Sequence, residues 1–165
     1  MLDIIKLIIE GQPIANKRHR SLPRSNIQYD PQKKEKSLVR WQLLQQIKEA
    51  PQNNRYLLSD CIYFDEAQFF SVHLAYYMKI PKCQEKFLKK ELCPVYVCHK
   101  KPDLDNLDKF YLDCMTGIVY SDDARIVRLS SEKVYDLRPR TEITVKAHFR
   151  EGKGPYKLGN DYFSY

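Results

Sequence analysis

The run Lys100-Lys101-Pro102-Asp103-Leu104-Asp105-Asn106-Leu107-Asp108-Lys109 concentrates carboxylates and ammonium groups, and a second acidic pair, Asp122-Asp123, follows shortly after Gly117. Carboxylates held within a few ångströms of one another repel, and they take up protons unless a cation compensates. A hard divalent cation answers that need: Mg2+ takes a few carboxylates, keeps several waters and binds phosphate oxygens. Held in this way, it can polarise a phosphodiester, hold a nucleophilic water and neutralise the leaving oxygen. Lys109 would add a fixed positive charge beside the transition state. The same residue types also have a plainer use. Aspartates in a first helical turn and Asp/Lys pairs four apart stabilise surface helices, and Asp-Asp pairs are common in turns.

These residues can meet only if the elements around them cooperate. Pro102 disfavours helix at Lys101, so a helix is expected from Asp103 to Met115, with Gly117 just past its end. Asp105 and Lys109 then share a face, as do Lys109 and Asp113. Asp103 and Asp105 are two apart and converge only if Asp103 belongs to the entering loop. The turn through Ser121 can bring either Asp122 or Asp123 back towards the helix.

Upstream, residues 2–9 are rich in β-branched side chains and predict a buried strand ended by Gly11 and Pro13. Residues 14–29 predict a loop. Asp30 is the expected N-cap of a first helix, Pro31 its first residue and Pro51 its stop, with Leu38, Trp41, Leu44 and Ile47 as its apolar stripe. Residues 51–60 predict a surface connection. Over 67–79, Phe70, Val72, Leu74 and Tyr76 alternate with more polar neighbours, the pattern of a strand. A short helix over 81–92, an extended piece at 95–98, and strands at 125–136 and 141–149 joined by a turn complete the order. The expectation is an α+β fold, a small mixed sheet of about four strands with helices mainly on one face. Residues 1–150 form one domain and 151–165 a tail. Tyr156, Tyr162, Phe163 and Tyr165 of that tail could stack on bases or dock on a partner subunit.

A chain of 165 residues suits a single core, and its net charge of +7 favours polyanionic partners. Lys17, Arg18, His19, Arg20 and Arg24 crowd one loop, and Lys33, Lys34, Lys36 and Arg40 open the first helix. With Lys100 and Lys101 they are candidates for phosphate contact; a solvated charged face is the alternative. The 12 tyrosines and 7 phenylalanines serve either nucleic-acid stacking or a β-rich core. No apolar run of about 18 residues or secretory leader is visible, so neither a membrane span nor export is expected. The five cysteines, Cys61, Cys83, Cys93, Cys98 and Cys114, show no disulfide framework and are expected as reduced cytosolic thiols. Cys83, Cys93, Cys98 and His99 lack a C-x-x-C pair, which argues against zinc. His19, His73, His99 and His148 form no triad pattern, and His73 and His148 are expected as satisfied sheet residues. Trp41 is expected in the core. No nucleophile elbow or phosphate-binding glycine loop appears, so no organic cofactor is expected.

The pattern Pro102-Asp103-Leu104-Asp105-Asn106-Leu107-x-Lys109, followed by Leu112-Asp113, Gly117 and Tyr120-x-Asp122-Asp123-x-x-Ile126, resembles the RusA-like Holliday-junction endonucleases. The opening Gly11-Gln12-Pro13-Ile14-Ala15-Asn16-Lys17-Arg18-His19-Arg20 and the Tyr29-Asp30-Pro31 entry to the first helix are also similar to that family. The resemblance covers 1–149, and its specific part is 102–126. It implies an α+β homodimer that uses Mg2+, or Mn2+ in its place, to make paired cuts across a four-way DNA junction. By position it makes Asp103, Asp105 and Asp123 the metal-binding carboxylates and Lys109 the catalytic lysine, with Asp122 ranked below Asp123. Two departures stand out. Pro102 occupies a position where some members carry Arg, and residues 80–96 look like an added segment. A less selective nuclease for branched DNA, a junction-binding protein that does not cut, and a basic scaffold with a structural cation are the competing readings.

Overall fold

The computed structural model describes residues 2–17, 20–21, 28–49, 67–82 and 96–149. The expected connection at 51–60, most of the expected helix at 81–92, the tail at 151–165, and Arg18, His19, Arg24, Cys61, Cys83 and Cys93 lie outside them. Strand β1 (Leu2–Glu10) forms where its β-branched residues predict a strand, but only one of its faces is buried. Ile5, Leu7 and Ile9 are buried, whereas Ile4 and Ile8 face out. Gly11, at φ 104°, turns the chain away. Within the stretch read as loop, β2 (Arg20–Ser21) and β3 (Gln28–Tyr29) pair as a separate two-stranded ladder. Helix α1 (Lys33–Glu49), β4 (Phe69–Lys79), β5 (Tyr96–Val97), helix α2 (Leu104–Met115), a 3-10 turn at Asp123–Arg125, β6 (Ile126–Asp136) and β7 (Arg140–His148) follow.

The main sheet has five strands in the order β1-β7-β4-β6-β5, one more than expected. β4 and β6 run parallel and the other pairings are antiparallel, so the sheet is mixed and the fold is α+β. Although residues 137–139 connect β6 to β7, these strands are not neighbours. β4 lies between them and pairs with both. A parallel pair cannot be closed by a tight turn. The long connection from β4 to β6 contains α2, which buries Leu107, Phe110, Tyr111, Cys114 and Met115. These meet Phe70, Val72, Leu74 and Tyr76 of β4 and Ile143, Val145 and Ala147 of β7 in one core. Ring pairs Phe70–Tyr120 at 5.3 Å, Tyr76–Tyr111 at 5.6 Å and Phe110–Tyr111 at 5.3 Å show where much of the aromatic content goes.

Helix α1 departs from expectation in its start and its phase. Asp30 caps the turn ahead of it, its carboxylate accepting from Gln32 N at 2.8 Å, and the helix begins at Lys33. Val39 and Leu43 are the buried residues, with Leu44 and Ile47 packed against the core. Leu38 and Trp41 point outward at 64% and 60% exposure, which corrects the core assignment of Trp41. The polar partners of the helix explain the rotation. Lys36 Nζ meets Asp30 at 2.9 Å and Asp113 at 3.1 Å. Arg40 Nη1 donates to the carbonyls of Thr116 at 2.8 Å and Cys114 at 3.2 Å, capping the end of α2. Gln46 accepts from Ile8 N at 2.8 Å and donates to Ile8 O at 2.6 Å, while Gln42 accepts from Glu10 N at 3.1 Å. These amides cover the outer edge of β1, which would otherwise leave its backbone open to pairing. Lys36 and Arg40 are therefore engaged inside the molecule, not held out for phosphate.

This phase sets a clear contrast. Leu43→Ala should cost about 2–5 kcal/mol by leaving a cavity, whereas Trp41→Ala should change monomer stability by less than about 0.5 kcal/mol. Urea melts of the two variants test it; equal losses would restore the expected stripe.

Candidate functional site

The approach to α2 is built from both sides of the sheet edge. Cys98 N donates to Lys133 O at 3.2 Å, and Lys101–Pro102 is a cis peptide. Asp103 is extended, with φ −70° and ψ 146°, so it does belong to the entering loop, as convergence with Asp105 requires. Its carbonyl accepts from Leu107 N at 3.2 Å, yet its side chain makes no capping hydrogen bond. An N-cap aspartate ordinarily satisfies one of the free N–H groups of its helix. Asp103 instead presents an exposed carboxylate. Asp105 is exposed one residue into the helix and accepts a long 3.4 Å contact from Asn106 Nδ2. Lys109 is exposed one turn later on the face opposite the core. Lys100 and Lys101 are exposed on the preceding loop. Asp113, read as a second partner for Lys109, is half-buried and pairs with Lys36.

Asp108 went unremarked in the sequence, though it anchors the helix. Its carboxylate accepts from Tyr76 Oη and from Ser131 Oγ, each at 2.9 Å, joining α2 to β4 and β6. Burial raises its pKa, the nearby charge of Asp105 adds to the rise, and the two hydroxyl bonds oppose it. Two residues along β6, Lys133 Nζ donates to Lys100 O at 2.6 Å and Pro102 O at 2.5 Å. Polar residues at alternate positions of a strand, Ser131 and Lys133 before buried Tyr135, are the signal that could have found this seam.

The second acidic pair follows α2 in the chain, at the 3-10 turn. Gly117, at φ 76°, turns the chain, and Tyr120 Oη donates to Leu112 O at 3.3 Å. Asp122 caps the 3-10 turn, one of its carboxylate oxygens accepting from Ala124 N at 2.9 Å. Asp123 is exposed. Its charge adds to the larger effect of burial in raising the pKa of Tyr120. Among the described residues, no three His, Cys, Asp or Glu side chains stand close enough to hold a metal together. Asp103 and Asp105 share the start of α2; Asp123 is not gathered into a three-carboxylate group with them. Exposed carboxylate oxygens at one helix start do fit the donor chemistry of a hard divalent ion with few protein ligands.

The basic loop begins beside this helix start. Asn16 N donates to Asn106 O at 2.7 Å, and Ile14 N to Tyr111 Oη at 3.3 Å. Fully buried Gln32 holds the same loop, accepting from Lys17 N at 2.5 Å and donating to Ala15 O at 2.9 Å. Lys17, exposed, therefore emerges near the acidic end of α2. Arg20 lies in β2. The two strand histidines are satisfied by hydroxyls, His73 Nδ1 with Ser130 Oγ at 2.9 Å and His148 Nε2 with Ser71 Oγ at 3.1 Å.

Because burial leads the upward shift of Asp108, its ionised form opposes folding. Stability linked to this group is present at low pH and is lost as pH rises from the ordinary value of 3.8 through the raised folded one. Asp108→Asn, which can still bond both hydroxyls, should flatten that decline. Urea midpoints taken from about pH 3 to about pH 7 check it, and parallel curves for the two proteins would rule it out.

Comparison with known proteins places these features. Residues 10–146 match the family described as endodeoxyribonuclease RusA. The chain is 26% identical over 153 residues to the uncharacterized protein YqaN of Bacillus subtilis (strain 168), spanning 88% of this chain and 97% of that protein. It is 50% identical over 46 residues to the crossover junction endodeoxyribonuclease rusA of Lactococcus phage r1t, covering 27% of this chain and 35% of the phage protein. The family match runs from the end of β1 into β7 and takes in α2 and both acidic pairs, so the chain belongs to the RusA endodeoxyribonuclease family.

Proposed function

We propose that this protein is a divalent-metal-dependent endodeoxyribonuclease that resolves four-way DNA junctions by paired phosphodiester hydrolysis, acting as a homodimer. The family match supports nuclease chemistry, and the name of the phage relative supplies the junction as substrate. The observation that carries the site is Asp103. It stands at an N-cap without capping, next to exposed Asp105, whereas Asp122 caps its own turn with one carboxylate oxygen. Asp103 and Asp105 would hold Mg2+, with Mn2+ as substitute, and Asp123 is the third carboxylate assigned to it. When bound, that ion supplies Lewis acidity and charge neutralisation at the scissile phosphate.

The chain's own groups do the rest. Lys109, one turn beyond Asp105, carries a positive charge that offsets the negative charge building on the phosphate and leaving oxygen. The start of α2 adds the positive end of its dipole. Lys17, Lys100 and Lys101, and from the sequence Arg18, Arg20 and Arg24, contact backbone phosphates and so position the duplex without reading its bases. A two-fold dimer matches a two-fold junction, which is the physical reason for two cuts.

The test is cleavage of a synthetic four-way junction with Mg2+, alongside three-way, flap and linear DNA. The wild type should make paired nicks in the four-way substrate, and Asp105→Asn should lose on the order of a hundredfold or more in rate with binding retained. Equal rates on every substrate would instead mark a less selective branched-DNA nuclease, and tight binding without cutting a binding module. Lys17→Ala should weaken junction binding and lower the salt slope by about 1; an unchanged slope would remove Lys17 from the phosphate track.

A further inference from the structure

We infer that Lys133 is a positioning residue of the acidic site: it holds the loop that delivers Asp103, and so sets where that carboxylate stands relative to Asp105. This rests on the nuclease reading of that site. Lys133 lies on β6, far in sequence from the loop, and grips it at three points. Its carbonyl accepts from Cys98 N at 3.2 Å where the loop leaves β5. Its ammonium donates to Lys100 O at 2.6 Å and to Pro102 O at 2.5 Å. The last of these carbonyls belongs to the peptide bond that joins Pro102 to Asp103.

Two features make this grip consequential. Pro102 has no N–H to offer, so the loop cannot tie itself down there through its own donor. Asp103 itself makes no side-chain bond to its helix, so its position depends on the backbone that carries it. An ammonium suits the task, since it offers several donors and a positive charge to carbonyl oxygens arranged around it. Two residues before it, Ser131 bonds Asp108, which fixes the second turn of α2. Strand β6 thus holds the loop on one side of Asp105 and the helix on the other, and the separation of Asp103 from Asp105 and Lys109 follows from those two anchors. Misplacement of a reacting group by about 1 Å can cost about a hundredfold in rate.

The experiment compares wild type, Lys133→Met and Lys133→Arg. Single-turnover cleavage of a four-way junction with Mg2+ is measured beside junction affinity in EDTA, melting temperature and Mn2+ binding followed by electron paramagnetic resonance. Lys133→Met should cut about a hundredfold more slowly and bind Mn2+ about tenfold more weakly, with junction affinity in EDTA unchanged. Lys133→Arg, which keeps the charge and donors, should recover most of the rate. Cleavage by Lys133→Met at the wild-type rate overturns the inference. So does a parallel fall in rate, junction affinity and melting temperature that Lys133→Arg does not repair, because that marks a merely structural lysine. If the wild type binds Mn2+ but cuts no junction, the junction reading fails, and the inference stands or falls on whether Lys133→Met binds Mn2+ more weakly. A wild type that neither cuts nor binds Mn2+ overturns both.

Discussion

Helix α2 has to cross from the end of β4 to the start of β6, because those two strands are parallel and no tight turn can join them. Its seating on the sheet governs everything else about the site. Leu107, Phe110, Tyr111, Cys114 and Met115 go down into the core. Asp108, at the edge of that apolar face, fastens the helix to Tyr76 and Ser131. With these contacts made, Asp105 and Lys109 have no choice but to face solvent. A rotation of the helix about its axis would bury their charges without partners, at a cost of several kcal/mol each. The apolar contacts set the depth of the helix and the carboxylate–hydroxyl bonds set its phase.

The basic residues divide into two groups that charge alone does not distinguish. Lys36 and Arg40 are drawn inward, one to two carboxylates and the other to the carbonyls at the end of α2. They tie α1 to α2 and satisfy groups that a helix end leaves unpaired. Lys17, Lys33, Lys34, Lys100 and Lys101 stay exposed. Gln32 connects the groups structurally: buried at the entry to α1, it orders the backbone around Lys17, while Asn16 is bonded to Asn106 at the start of α2. The basic loop and the acidic helix start, more than eighty residues apart in the chain, are thus brought side by side by neutral hydrogen bonds, not by attraction between their charges.

Much of this was legible in the sequence because it depends on local rules. The strand at β1, the alternation in β4, the glycine after α2, the pre-proline residue before it and the four-residue spacing of Asp105 and Lys109 each follow from backbone geometry, and the structure has them where they were expected. Asp103 stands in the entering loop, the condition its spacing from Asp105 set for the two to converge, and the helix begins one residue later than expected. Other features were not legible because their causes lie far away in sequence. The phase of α1 is set by partners on β1, on α2 and at Asp30, so the local apolar stripe through Leu38 and Trp41 misled. The pairing of β2 with β3 was hidden by proline, serine and asparagine, which read as loop.

The sequence by itself determined which groups are available for chemistry, two carboxylates around the start of one helix, a lysine a turn later and a second acidic pair after a glycine turn, since residue types and short-range spacing settle these. Tertiary structure alone decided which of them are free to use it. Asp113 is paired with Lys36 and Asp108 with two hydroxyls, while Asp103 and Asp105 remain open to solvent. The physical reason is that a carboxylate's role depends on the donors within about 3 Å of it, and for Asp108 and Asp113 those donors come from strands and a helix that only the folded chain brings near.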